Sequence, residues 1–129
     1  MTEATRKEQR ILMIGQNSPL MEGVYDLLQV AGYPVQMSSS WAETEYAMHN
    51  PPPSLVIVDL SSAAPDVYRV AERIRSTPHW SDVPILFISF SGDDRIRELQ
   101  RREDNSKTYF YAHTLLGMDE LLAKVQSCL

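Results

Sequence analysis

Polar groups capable of chemistry stand at the ends of three apolar runs. Asp59 lies at the end of LVIVDL, Ser89 closes ILFIS, and Gly15, Gln16 and Asn17 follow ILMI. Asp59 is the anomaly of the strongest apolar run in the chain, whose β-branched residues read as a strand buried on both faces. A carboxylate so placed can act as a nucleophile, or can accept hydrogen bonds from turn amides. The Ser89 hydroxyl can cap the turn that follows it, or join Asp59 in holding a ligand in a cleft.

Other reactive residue types are scattered. His49 and His79 lie beside prolines, lack metal-ligand spacing and have no evident acid or base partner. Cys128 is the only cysteine, which excludes a disulfide within one chain and a thiolate zinc site. Its place near the end of the sequence suggests surface exposure and an incidental thiol. The GQNSP turn is not a nucleotide fingerprint. Trp41 and Trp80 read as packing or surface residues, and Asp93 and Asp94 as solvated loop charges.

The elements that position these residues alternate. Ser18 and Pro19 open a first helix after ILMI, with Leu20, Val24, Leu27, Leu28 and Ala31 at helical spacing and Gly32 as its stop. Tyr33, Val35 and Met37 alternate as a second strand, and Ser40 with Glu43 has the spacing of a capping box for a helix through about Met48. Pro51, Pro52 and Pro53 end that helix before LVIVDL. Pro65 introduces a third helix with Val67, Val70, Ala71 and Ile74 inward and Arg69, Glu72, Arg73 and Arg75 wet. After ILFIS, a charged fourth helix is expected in GDDRIRELQRRED, then the fifth strand TYFYA and a last helix from about Met118 to Cys128. Alternating strands and helices with right-handed crossovers predict an α/β fold, a doubly wound parallel sheet with helices on both faces. In such folds ligands bind at the carboxyl ends of the strands, where Asp59, Ser89 and the GQN turn fall.

The chain has 129 residues, 43% hydrophobic and 22% charged, which suits one domain with a packed core: a lead-in at 1–10 and a domain at 11–129. A formal charge of -5 argues against direct nucleic-acid binding. The polar start and the lack of a long apolar span argue against a membrane and point to a cytoplasmic protein.

From Ile11 onward, ILMIGQNSP, LVIVDL, VPILFIS and TYFYAH resemble, in order and spacing, the receiver domain of bacterial two-component response regulators. The resemblance implies a five-stranded, flavodoxin-like sheet in the order 2-1-3-4-5. It also implies that Asp59 is the phosphoacceptor, Ser89 the hydroxyl that meets the phosphoryl oxygens, Tyr109 the aromatic switch and Ser61 a backbone ligand to magnesium. Two departures mark an atypical, degenerate member. The acidic pair that normally holds magnesium is replaced by Gly15 and Gln16, with the neutral Asn17 beside them, and the lysine position reads Ala112, followed by His113 where the family usually has a cis-proline. Phosphoryl transfer to a carboxylate needs cations on the transferring oxygens, and hard divalent ions prefer carboxylates. No cofactor is therefore expected, and magnesium affinity through Asp59, Gln16 and Ser61 should be weakened.

The resulting expectation is a non-enzymatic module that signals by protein–protein interaction. Its partner would be a histidine kinase, a downstream signalling protein or a second copy. The expected face joins the fourth helix, fifth strand and fifth helix, with Arg95, Arg97, Arg101 and Arg102 beside Tyr109 and Tyr111. The alternative is a magnesium-assisted phosphoacceptor using Asp59 in a phosphorelay. An enzyme with another ligand in the strand-end cleft is the weaker third reading.

Overall fold

The computed structural model describes residues 8–60, 67–89, 109–113 and 117–129. Strands β1 (Ile11–Ile14), β2 (Val35–Ser38), β3 (Leu55–Asp59) and β4 (Ile85–Ser89) form a parallel sheet in the order β2-β1-β3-β4. Every residue of β1, β3 and β4 is buried, as their nearly unbroken apolar sequences require of strands covered on both faces. The backbone of Tyr109–His113, β5, runs parallel to β4, with Tyr109 opposite Ile85 and His113 opposite Ser89.

Strand alternation splits the core into two layers. Leu12, Ile14, Val56, Val58, Ile85 and Phe87 pack on one face against α2 (Trp41–Ala47) and α3 (Val67–Ser76). On the other face Met13, Ile57, Leu86 and Ile88 meet α1 (Pro19–Val30) and the C-terminal helix (Met118–Cys128).

Helix α1 begins as its sequence dictates: Pro19 occupies the first turn, and the Ser18 hydroxyl accepts from the Met21 N–H at 3.1 Å. It ends in a Schellman turn, in which Gly32 N–H donates to Gln29 O and Tyr33 N–H to Leu28 O, each at 3.0 Å. The reversal puts Gly32 at φ 101°, a backbone region that a side chain disfavours. The inward face of α1 is Met21, Val24 and Leu28 with Leu27 and Ala31 packed against it, so the expected stripe holds except at Leu20, whose place Met21 takes. Leu20 is 51% exposed, because the buried positions follow a spacing of three and four from Met21.

Around α2, Ser40 is the N-cap, accepting from Glu43 N–H at 3.1 Å. The Glu43 carboxylate accepts from the hydroxyls of Ser39 and Ser40 at 3.1 and 3.3 Å, so the capping box closes through side chains. In α3, Val70, Ala71 and Ile74 are buried as expected. Arg75, expected to be wet, is partly covered and donates from Nη1 to Ser81 O and Val83 O at 3.1 and 3.0 Å, satisfying carbonyls of the turn into β4.

Arg10, assigned by sequence to the lead-in, is already tied to the domain. Its Nη2 donates to Pro51 O and Pro52 O at 3.1 and 3.0 Å, and its carbonyl accepts from Ser54 N–H at 2.8 Å. Trp80 is buried and donates from Nε1 to Asn50 O at 3.1 Å, bracing the same proline segment. Among the described residues no helix is long and apolar enough to cross a membrane.

Candidate functional site

Sheet register assembles the strand-end residues. Ile14 of β1 lies opposite Val58, so Gly15, the next residue, comes level with Asp59. Asp59 is opposite Ile88, and Ile88 is opposite Ala112. Gly15, Asp59, Ile88 and Ala112 thus form one row across the sheet. One residue of each departure from the receiver pattern, Gly15 and Ala112, falls in the row of the candidate acceptor. The row is held by backbone: Gly15 N–H donates to Ser38 O at 3.0 Å, and Leu60 N–H to Ile88 O at 2.7 Å.

Asp59 is 4% exposed and Ser89 1%, so neither is an ordinary surface polar residue. They do not share a row. Ser89 lies one step further along the sheet, opposite His113, and continues the Ile85 and Phe87 side of β4, whereas Asp59 continues the Leu55 and Ile57 side of β3. Gln16 and Asn17 leave the sheet as exposed residues. His113, adjacent to the lysine position in sequence, is therefore in register with Ser89 and one row beyond Asp59. Ser61, Asp93, Asp94, Arg95, Arg97, Arg101 and Arg102 lie outside the described residues, and Tyr109, Tyr111 and Ala112 are placed by their backbone alone.

Beside this row lies a polar cluster that the sequence reading missed. Ser38 and Thr44 are buried with their hydroxyl oxygens 2.7 Å apart, and the Thr44 hydroxyl also donates to Ser40 O at 2.9 Å. The cluster fixes the turn from β2 into α2 by satisfying buried groups internally. Its signal was the run Ser38, Ser39, Ser40 with a threonine four residues on.

The two tryptophans separate as packing and surface residues. Trp80 is in the core, and Trp41 is half-buried with the Arg69 guanidinium 4.2 Å from its ring centroid. Glu45 and Arg73 form an exposed ion pair at 3.7 Å beside them. A cleft of about 140 Å³ lies at the opposite, amino end of the sheet, lined by Arg10, Pro34, Val35, Pro53 and Trp80 among others, and does not reach Asp59. Cys128, expected near the surface, is buried against the α1 layer. Burial raises its thiol pKa, against smaller lowering effects from the Ser127 hydrogen bond and the Lys124 charge. Among the described residues no three His, Cys, Asp or Glu side chains come together as a metal site.

A parallel sheet in the order β2-β1-β3-β4, covered by helices and carrying an aspartate at the end of β3, gives the chain the fold of CheY-like receiver domains. No protein-family model matches it. The DNA-binding dual master transcriptional regulator RpaA of Synechocystis is 26% identical over 122 residues, covering 93% of this chain and 48% of that protein. A putative response regulator from Chloroflexus aurantiacus superposes with a TM-score of 0.78 at 23% identity, covering 95% of this chain and 98% of that one. The receiver domain of the Pseudomonas aeruginosa sensor histidine kinase PA1611, solved with magnesium in its active-site cleft, gives 0.74 at 20% identity, with 92% and 95% covered. The chain spans about half the length of the curated relatives it matches.

Proposed function

We propose that this chain is an atypical receiver module of two-component signalling that acts by binding another protein, without efficient phosphorylation of Asp59. One observation carries the reading: the buried Asp59 shares its cross-sheet row with Gly15 and Ala112, neither of which can supply a ligand side chain or a charge. A receiver transfers a phosphoryl group to such an aspartate with help from cations. Here the neighbouring donors are the neutral Gln16 and Asn17, a poor set for magnesium, which is held best by several carboxylate oxygens. The residues present do not fit the ion well.

The module comprises residues 11–129, with β5 completing the order 2-1-3-4-5 and helices on both faces, and works in the cytoplasm. The parallel register of Tyr109–His113 with β4 supports that order. Its partner is a histidine kinase or a downstream signalling protein, and it carries no enzymatic or nucleic-acid activity of its own. The DNA binding named for RpaA belongs to a protein of which this chain matches 48%.

Nuclear magnetic resonance titration of wild type and Asp59→Asn tests the reading, first with magnesium and then with magnesium plus beryllofluoride, a phosphoryl mimic. The expected result is a well-folded protein without a saturable response in either. Saturable changes in wild type that spread from Asp59 to Ser89 and Tyr109 and vanish in the variant would overturn it. They would establish a phosphoacceptor instead.

A further inference from the structure

Helix α2 runs only from Trp41 to Ala47 before the chain turns into Pro51, Pro52 and Pro53, and the first residues of β1 and β2 are left beside an open cleft of about 140 Å³. Leu12, Ala47 and Trp80, all buried and all in one core layer, supply its apolar lining. Gln36 is level with Leu12 and alternates with Val35 and Met37, which pack on the opposite layer. Its exposed side chain therefore belongs to the α2 side of the sheet, where it borders the cleft.

The polar groups around this cleft are unequally spent. Ala47 O accepts from Asn50 N–H at 3.1 Å and Asn50 O from Trp80 Nε1 at 3.1 Å, while Pro51 O and Pro52 O accept from Arg10 Nη2 at 3.1 and 3.0 Å. The prolines have no N–H to add. Arg10 uses only Nη2 in these bonds, so among the described residues its Nε and Nη1 donors remain, and the Gln36 carboxamide is a second exposed donor. Arg10 is also the one charged residue of the lining. Its guanidinium is already fixed on two carbonyls, so a ligand does not have to order it.

An apolar lining with spare donors and one fixed positive charge complements an apolar body that carries an anionic acceptor. The room sets the size of that body, since an apolar cavity of roughly 150 Å³ holds benzene. We infer that the amino-end cleft binds a small monocarboxylate with a single-ring apolar body, Arg10 and Gln36 holding the carboxylate while Leu12, Ala47 and Trp80 cover the ring. Ile11 at the start of β1 stands four residues before Gly15 of the acceptor row, which puts the ligand about 13 Å from that row. Binding here does not depend on whether Asp59 takes a phosphoryl group.

The test titrates benzoate, benzamide and acetate separately into the isotopically labelled 129-residue chain. Benzoate should shift saturably the amides of Leu12, Gln36 and Asn50 and the indole Nε1–H of Trp80. Benzamide keeps the ring without the charge and acetate the charge without the ring, and each should bind at least about tenfold more weakly. Arg10→Gln should abolish the preference for benzoate over benzamide. Gln36→Phe, at an exposed strand position where the new ring would fill the cleft, should abolish binding of both and leave the rest of the spectrum in place. Because Arg10 also anchors the proline segment, Gln36→Phe carries the test if Arg10→Gln unfolds the protein. The proposal is overturned by absence of saturable shifts at these residues, by equal affinity for benzoate and benzamide, or by benzoate binding that survives Gln36→Phe. Tighter binding of a peptide ending in phenylalanine than of benzoate would also overturn it, by assigning the cleft to a protein terminus.

Discussion

Replacing glycine by alanine at two positions nine residues apart should change stability in opposite directions. Gly23 lies inside α1 without a positive φ, so its missing side chain serves no backbone need. Alanine there gains the intrinsic helix preference, about 0.8–1 kcal/mol. The new Cβ would sit 3.6 Å from Met118 Cε, an ordinary van der Waals contact with the end of a flexible side chain, so little of that gain is lost. Gly32 closes the same helix at φ 101°. There alanine meets the left-handed penalty of about 1–2 kcal/mol, reduced by the lower entropy of its unfolded chain, about 0.4–1 kcal/mol. Gly23→Ala should therefore stabilise by about 0.5–1 kcal/mol and Gly32→Ala destabilise by about 1 kcal/mol, a separation of roughly 3–10 °C in Tm for a domain of this size. Urea unfolding should show the midpoints moving apart at unchanged slope, which assigns the effect to stability and not to a changed unfolded state. Destabilisation by Gly23→Ala would refute the reasoning, because it would mean that the two helices cannot admit one methyl group.

Three further outcomes follow from named contacts. Thr44→Val keeps the shape of a fully buried side chain but removes its hydroxyl from Ser38 and Ser40, and should cost about 1–3 kcal/mol in urea unfolding. Ser18→Ala removes the cap on Met21 N–H and should cost about 1 kcal/mol, with lost amide protection confined to the first turn of α1. Because burial raises the Cys128 pKa, the unfolded chain releases the thiol proton at lower pH than the folded one. Stability should accordingly fall as pH rises above the ordinary thiol value, and a thiol reagent at mildly alkaline pH should react far faster in denaturant than with native protein. Equal reaction rates would show that the thiol is not covered.

The sequence by itself determined the strands, because ILMI, LVIVDL and ILFIS are too apolar and too short to be anything but buried segments of a sheet. It also marked the starts of α1 and α2, where the Ser18 and Ser40 hydroxyls act on amides three residues away. Such signals are local, and local chemistry survives without knowledge of the fold. The face of α1 was less legible: Leu20 and Met21 are both apolar neighbours, and only packing against Met13 and Ile57 selects Met21. The cover of Arg75 and Cys128 was no more legible, since Arg75 is held by carbonyls of the turn into β4 and Cys128 packs in the core layer shared with α1.

At the candidate site, Asp59, Gly15, Gln16 and Ala112 could each be picked out along the chain, but their relation could not. Parallel register decided that Gly15, Asp59 and Ala112 share a row while Ser89 and His113 stand one step beyond, because pairing between strands fixes which residues are level across the sheet. The meeting of Gly23 with Met118 was likewise invisible, for the two are far apart in sequence and each alone looks like ordinary helix material. Only the packing of α1 beside the C-terminal helix joins them, since side-chain type is written in the sequence whereas exposure and adjacency arise from the whole fold.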